Sequence, residues 1–570
     1  MSNRNNSIQD ALNLVIQHSQ AGRQDKAENI FEQLLKVLPS DADDLHSLGG
    51  VAYQLGKYEI AIDLLNKAIQ NDSTRDYLYC NLGSLLKSQG RLDEAVASYR
   101  NALAINPNYA EAHNNLGIAL KAQGKLDEAI ASYQRAIAIN QDYAEAHSNL
   151  GIALNADGKR EEAVESFQRA VSINPSFVEG YLNLANALDA HEELDEAVAS
   201  YRNALAINPN YAEAHNNLGI ALKAQGKLDE AIASYQRAIA INPDYAEAHF
   251  NLGNALSDKG KSAEAATSYK GAIAINPDYA EAYNNLGIVL KAQDKMDEAV
   301  TSYQCAITIN PNYTEALHNL GVILKDQGKL DEAATLYERV LALDPTHPSA
   351  RHMLAALRGE TTEMAPAKYV KVLFDRYSSN YDHHLMEKLQ YNTPALLRQA
   401  LQSLFSHDLH FQNAIDLGCG TGLAGTEFRE MAARLSGIDI SPKMIEEAEK
   451  KDIYDVLVVG NIMEFLNNAS EKYDLFIAAD VFLYIGNLAP LFTSIRTRSS
   501  IGAYLVFSTE SSHEKEYVLR QTGRYAHSRN YIQSLAKDHR CIVEKCQSGG
   551  LRKEKGQWTM GDIFVLKHVT

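Results

Sequence analysis

Hydrophobic positions recur in a fixed order along the first three-fifths of the chain. Residues 110–143 read AEAHNNLGIALKAQGKLDEAIASYQRAIAINQDY. The same alternation of small, large and polar positions restarts at Ala144, Val178, Ala212, Ala246, Ala280 and Thr314. Backwards, it restarts at Asp76, Ala42 and, more faintly, Ile8. The period is 34 residues, which gives ten units over residues 8–347. Residues 92–140 return unchanged at 194–242, three periods later, so a block of the array was copied. Small residues (Gly117, Ala129, Ala136) mark where two helices touch, and large ones (Leu116, Leu120, Tyr133, Ile137) fill the gaps between them. Gly124 breaks the first helix, and Leu126-Asp-Glu-Ala129 starts the second. Prolines such as Pro107, Pro209 and Pro311 close units that they cannot continue. A lone helical hairpin cannot bury its apolar face, but stacked neighbours can. The pattern therefore predicts an all-α, right-handed superhelical solenoid with one concave face.

The pattern changes behind the array. Pro348–Arg358 reads as a terminal capping helix, residues 359–367 (GETTEMAPA) as a linker, and residues 368–405 as helix. Short apolar runs then alternate with helical stretches at 414–417, 435–440, 456–459, 475–478, 504–509, 541–545 and 561–566. That alternation predicts a doubly wound, Rossmann-like α/β sheet of seven strands over residues 368–570, ending in an antiparallel hairpin.

The repeat units resemble the tetratricopeptide repeat family over some 340 residues. That resemblance implies a protein or extended peptide bound in the concave groove. The sixth position of the unit is asparagine in eight successive repeats: Asn81, Asn115, Asn149, Asn183, Asn217, Asn251, Asn285 and Asn319. An amide donates and accepts, so such a column can hold a peptide backbone. It is similar to the asparagine ladder of O-linked N-acetylglucosamine transferases, although no glycosyltransferase domain follows. The alternative reading is consensus hydrogen bonding between neighbouring helices, and both stay open at this point. A lysine row (Lys87, Lys121, Lys223, Lys291, Lys325) reads as a solvated face, and histidines at the fourth position as packing residues.

Composition narrows the partners. The net charge of −18 argues against nucleic acid as the main ligand. The five cysteines show no metal-ligand spacing and no disulfide framework, which fits a reducing, cytoplasmic setting without a bound metal. No apolar run of membrane-spanning length occurs.

The chemistry lies in Ala414-Ile-Asp-Leu-Gly-Cys-Gly-Thr-Gly422, where a strand runs into a turn with Gly418, Gly420 and Gly422 and then a helix. Glycines let a ligand approach the backbone closely. The second strand ends at Asp439, which can accept two ribose hydroxyls. The string also matches the dinucleotide fingerprint, with Asp439 lying 19 residues beyond Gly420. Asp416 decides against a pyrophosphate, which its carboxylate would repel, and for S-adenosylmethionine, whose ammonium and sulfonium it would help hold.

Residues 366–570 resemble class I S-adenosylmethionine-dependent methyltransferases. The resemblance implies that Asp416, Gly418, Gly420 and Gly422 hold the amino-acid end, Asp439 the ribose and Asn461 the adenine. It places the segment Asp480-Val-Phe-Leu-Tyr484 beside the transferring methyl. Residues 374–382 (FDRYSSNYD) are similar to the FDxxxxxYD lid of small methyltransferases, with Tyr377 and Tyr381 able to enclose the cation. Lid and repeats together resemble a mostly bacterial family of predicted tetratricopeptide-fused methyltransferases with undefined substrates. Base candidates are Asp480, His383, His384 and His527. The expected function is a methyltransferase recruited by its solenoid to a protein, with an unknown acceptor. The rival is an interaction scaffold whose C-terminal domain binds the cofactor without turnover.

Overall fold

The computed structural model describes residues 2–37, 39–375, 381–406, 409–513, 516–554 and 556–569, in two compact units, Met1–Ala282 and Tyr283–Thr570. Among the described residues, no helix is long and apolar enough to cross a membrane.

In the first unit, helical hairpins follow one another at the sequence period. Ala110–Ala122 pairs with Leu126–Ile139, and Ala212–Ala224 with Leu228–Ile241. One pairing sets the hairpin. A Cβ on Gly117 would lie 2.6 Å from the ring of Tyr133, and the same holds for Gly219 against Tyr235 and Gly253 against Tyr269. Each tyrosine ring is buried flat against the facing backbone, and only glycine leaves room for it. The turn between helices is left-handed, with Gly124 at φ +76°. Where a repeat lacks that glycine the backbone keeps the same turn, so Glu192 sits at φ +62°, a strained conformation for a side-chain-bearing residue. The first helix, Ser2–Gln20, begins earlier than the faint pattern at Ile8 implied.

The second unit carries repeat helices Met296–Ile309, Thr314–Asp326 and Leu330–Leu343, then the cap helix Pro348–Arg358, which ends on left-handed Gly359. Residues 361–367 do not run free. Leu519 N donates to Thr361 Oγ1 (3.3 Å), and Gly486 N and Asn487 N both donate to the Glu363 carbonyl (2.8 Å). Ala365 N donates to the Tyr484 carbonyl (2.9 Å), and Met364 forms an antiparallel bridge with Ile485. This strap leads into a lid helix, Ala367–Asp375.

The sheet has nine strands among the described residues: β1 (Phe411–Leu417), β2 (Ala432–Asp439), β3 (Val456–Val459), β4 (Tyr473–Ala478), β5 (Ser499–Ser512), β6 (Tyr517–Leu519), β7 (Tyr525–Ser528), β8 (Cys541–Glu554) and β9 (Gln557–His568). Their order is β3-β2-β1-β4-β5-β7-β6, with β9 antiparallel on β5 and β8 on β9. The expectation of seven strands is corrected. β6 and β7 are three and four residues long, too short for an alternation to show in sequence. β5 serves both neighbours, since Tyr504 to Glu510 face β9 and Glu510 to Ser512 face β7. The parallel core strands are apolar on both faces, packing Phe476 and Phe507 to one side and Leu475 and Val506 to the other. Strand order reverses between β1 and β4, which opens a crevice at their carboxyl ends.

Candidate cofactor cleft and repeat face

That crevice is a cleft enclosing about 940 Å³ when open solvent at its mouth is counted. Gly418 and Gly420 line it after β1, Asp439 at the end of β2, Asn461 after β3 and Asp480 after β4. Met364 and Ala365 of the strap and Val370 and Phe374 of the lid helix form the opposite wall.

The glycine loop is bent by contacts only glycine tolerates. Gly418 (φ +71°) donates to the Ile438 carbonyl at 2.8 Å, and a Cβ there would lie 2.6 Å from Val481. Gly420 N donates to Asp439 Oδ2 (3.0 Å) and Ser441 N to Asp439 Oδ1 (2.8 Å). Burial raises the Asp439 pKa while these backbone N–H groups pull the other way. Each carboxylate oxygen keeps a second acceptor site, enough for a pair of neighbouring hydroxyls. Gly422 (φ +92°) stands at the N-terminus of the helix Leu423–Phe428, outside the cleft lining.

Two expected contacts change. Asp416 is fully buried beneath the loop and does not line the cleft. Its Oδ2 accepts from the Tyr454 hydroxyl (2.6 Å), while Oδ1 is buried without a partner. Burial, with the charge of Asp439 adding to it, pushes its pKa up to about 7. Asp416 therefore sits beneath the glycine loop, away from the cleft surface. Asn461 does line the cleft, but its side-chain oxygen caps the helix Ile462–Asn468, accepting from Met463 N (2.9 Å) and Glu464 N (3.3 Å). What it has left for a nucleobase is its amide N–H₂, a donor.

The FDxxxxxYD residues pin the lid at both ends. The Phe374 ring stands edge-on to Tyr484 (5.5 Å between centroids), and Ser441 Oγ donates to Asp375 (2.6 Å). Asp382 accepts from Thr421 Oγ1 and from Lys451 Nζ. Tyr377 lies outside the described residues, as do the side chains of Tyr381 and His384.

The base candidates fare unevenly. Asp480 lines the cleft with φ +57°, and each of its oxygens has one partner. Ser508 Oγ donates to Oδ1 (2.8 Å) and Arg552 Nη1 to Oδ2 (2.6 Å). His527 is corrected outright: it is 1% exposed and off the cleft. Its Nε2 faces the carbonyls of Ile485 (2.9 Å) and Gly486 (3.1 Å), and burial lowers its pKa to about 4. His383 is exposed beside Glu387 (3.3 Å), in a shallow depression with Thr426 and Lys451 rather than in the cleft. Sequence reasoning missed Tyr454, Ser441 and Arg552. Arg552 could not have been found, because it meets Asp480 across 72 residues of chain.

On the repeats, the asparagines bond from unit to unit. Asn149 Nδ2 donates to Asn114 (2.9 Å), Asn183 to Ser148 (3.2 Å), Asn251 to Asn216 (3.1 Å) and Asn319 to Asn284 (3.1 Å). Asn81 faces His46 (2.7 Å) and Asn217 donates to Asn186 (3.3 Å). Six of the eight column asparagines thus bond to the preceding repeat. His113, His147, His215 and His249 each meet a carbonyl six residues earlier, which makes them local packing residues.

Comparison with known proteins assigns both halves. Tetratricopeptide repeat profiles match residues 83–124, 119–158, 190–226, 219–260 and 253–294, and again 144–177 and 278–346. Residues 20–102 match a profile described as anaphase-promoting complex, cyclosome, subunit 3. A methyltransferase domain profile matches residues 412–558, a domain class that works with a methyl donor. Human methyltransferase-like protein 27 is 33% identical over 85 residues, 15% of this chain and 34% of that protein. Human tetratricopeptide repeat protein 7B is 30% identical over 84 residues, 15% of this chain and 10% of that one. The matched stretches therefore span between a tenth and a third of these relatives. The crystal structure of YrrB, described as a tetratricopeptide protein with an unusual peptide-binding site, is 26% identical, covering 32% of this chain and 95% of that one with a TM-score of 0.29.

Proposed function

For a chain that joins tetratricopeptide repeats to a methyltransferase domain, we propose an S-adenosylmethionine-dependent methyltransferase of class I topology whose array recruits a protein partner. The observation that carries this reading is the meeting of Gly420 N–H and Asp439 Oδ2 at the cleft floor (3.0 Å), with glycines wherever a side chain would fill the space. Gly418 and Gly420 give the amino-acid end its close approach. Asp439 takes the ribose hydroxyls. Asn461 offers an N–H to the adenine edge. The buried carboxyls of Asp416 and Asp439 favour a cationic ligand. The bound donor supplies a methyl group already activated by its sulfonium, so the protein aligns an in-line displacement and excludes water. The strap and lid helix, the latter held through Asp375, form the wall that does so.

The array supports recruitment because its units match tetratricopeptide repeat profiles, and stacked repeats of this kind form an extended concave surface for a partner. Titration calorimetry on the full chain tests the donor site. S-adenosylmethionine is expected to bind, and Asp439→Ala to weaken it by at least tenfold. Equal affinity in the variant would remove the assignment. Binding with no transfer to any acceptor would leave a scaffold that senses the donor.

A further inference from the structure

Much of the cleft lining is apolar. Met364, Val370, Phe374 and Ile485 line it together with Asp480. Tyr484 interrupts them, and its hydroxyl has no hydrogen-bond partner among the described residues. Burial raises its pKa, so it stays protonated and able to donate.

Behind it lies a closed charge cluster. Arg552, 4% exposed, binds Asp480 (2.6 Å), Glu554 (2.8 Å) and Glu510. Arg524 binds Glu510 (3.1 Å) and Glu554 (2.7 Å), and Arg520 binds Glu510 (3.3 Å). Three guanidinium groups thus offset three carboxylates. Of those carboxylates only Asp480 lines the cleft, and its charge is matched by Arg552. An unmatched Asp480 would repel an anion; the pair does not.

His527 and His383 lie off the cleft, and Asp480 is bound by Ser508 and Arg552. An acceptor that arrives already anionic needs no base to take its proton. Resting on the donor reading above, we infer that the acceptor is a carboxylate on an apolar body, converted to its methyl ester.

In the step, one carboxylate oxygen attacks the methyl carbon opposite sulfur. The O–CH₃ bond forms as the S–CH₃ bond breaks, and both electrons of the broken bond stay on sulfur. Anion and sulfonium become ester and thioether, and no proton moves. Such charge collapse is favoured where water is excluded. The Tyr484 hydroxyl donates to the second oxygen and leaves the attacking one free. An amine or an aromatic carbon would end as a cation needing a proton sink. A thiolate has only one atom, so a hydrogen bond from Tyr484 would compete with its attack.

The test uses the full chain with methyl-labelled S-adenosylmethionine. Acceptors are a cell extract and a defined set of phenylacetate and octanoate against phenylacetamide and benzylamine. Alkali releases volatile labelled methanol from methyl esters and not from N-, S- or C-methyl products. Acid precipitation separates a protein carboxylate from a free acid. The expected result is alkali-labile label, with Tyr484→Phe lowering transfer about tenfold to a hundredfold while calorimetric donor binding is unchanged. Alkali-stable label, full activity in Tyr484→Phe, or no transfer from a chain that binds the donor would each overturn the inference. Failure to bind the donor at all would instead remove the reading on which it rests.

Discussion

Replacing Arg552 by leucine removes the hub of the buried charge cluster and strands one carboxylate. Glu510 keeps Arg520 and Arg524, and Glu554 keeps Arg524. Asp480 keeps only the Ser508 hydroxyl, with 15% of its side chain reaching solvent. Removing one partner of a buried ion pair costs about 3–5 kcal/mol. Since two of the three carboxylates retain a cation, the lower end, about 3 kcal/mol, is expected. Asp480→Asn in the same chain removes the stranded charge and should recover about 2 kcal/mol of it. The assay is urea unfolding followed by tryptophan fluorescence. The sequence has one tryptophan, Trp558 on β9, so the signal reports the α/β sheet without interference from the repeats. A loss below about 1 kcal/mol in Arg552→Leu, or no recovery in the double variant, would refute the view that Arg552 serves chiefly to neutralise Asp480.

Glu192→Gly and Asp294→Gly should each stabilise the array by about 0.5–1 kcal/mol, since both residues hold left-handed turns that glycine adopts freely in the other repeats; calorimetric Tm values check this. Gly253→Ala should cost about 1–3 kcal/mol, because its Cβ would lie 2.6 Å from the Tyr269 ring. Replacing Asn149 and Asn251 by alanine should lower stability by about 1 kcal/mol each, from lost bonds to Asn114 and Asn216, as well as weakening partner capture. Two carboxyls predict opposite pH trends in denaturant unfolding. Burial alone would raise Glu554, but hydrogen bonds from Arg524 and Arg552 hold it down at about 2. Its contribution is thus present above about 4.5 and lost as pH falls toward 2. Asp416, raised to about 7, contributes most below about 4 and loses that contribution as pH rises through 7. Asp416→Asn should flatten the neutral limb and leave the acid limb in place.

The repeats were legible because each hairpin is a local object. Gly117 and Tyr133 meet within one unit, and the period repeats that meeting down the chain. The glycine loop was legible for the same reason, and the structure brings Gly418, Gly420, Asp439, Asn461 and Asp480 into one cleft. What sequence could not show was the partner of each side chain. Asp416 turns to Tyr454, Asn461 spends its oxygen on a helix N-terminus, and His527 folds onto backbone carbonyls. The strap at residues 361–367 read as a linker because most of its pairing runs through backbone groups, to which side-chain patterns are blind. The cluster around Arg552 joins segments far apart in sequence, where no spacing rule reaches.

A crystal structure of the full chain with S-adenosylhomocysteine tests the central assignment most directly. The account predicts the ligand in the cleft, with its amino-acid end over Gly418 and Gly420 and both ribose hydroxyls on Asp439. A nucleoside bound elsewhere, or a pyrophosphate-bearing cofactor lying across the glycine loop, would contradict it.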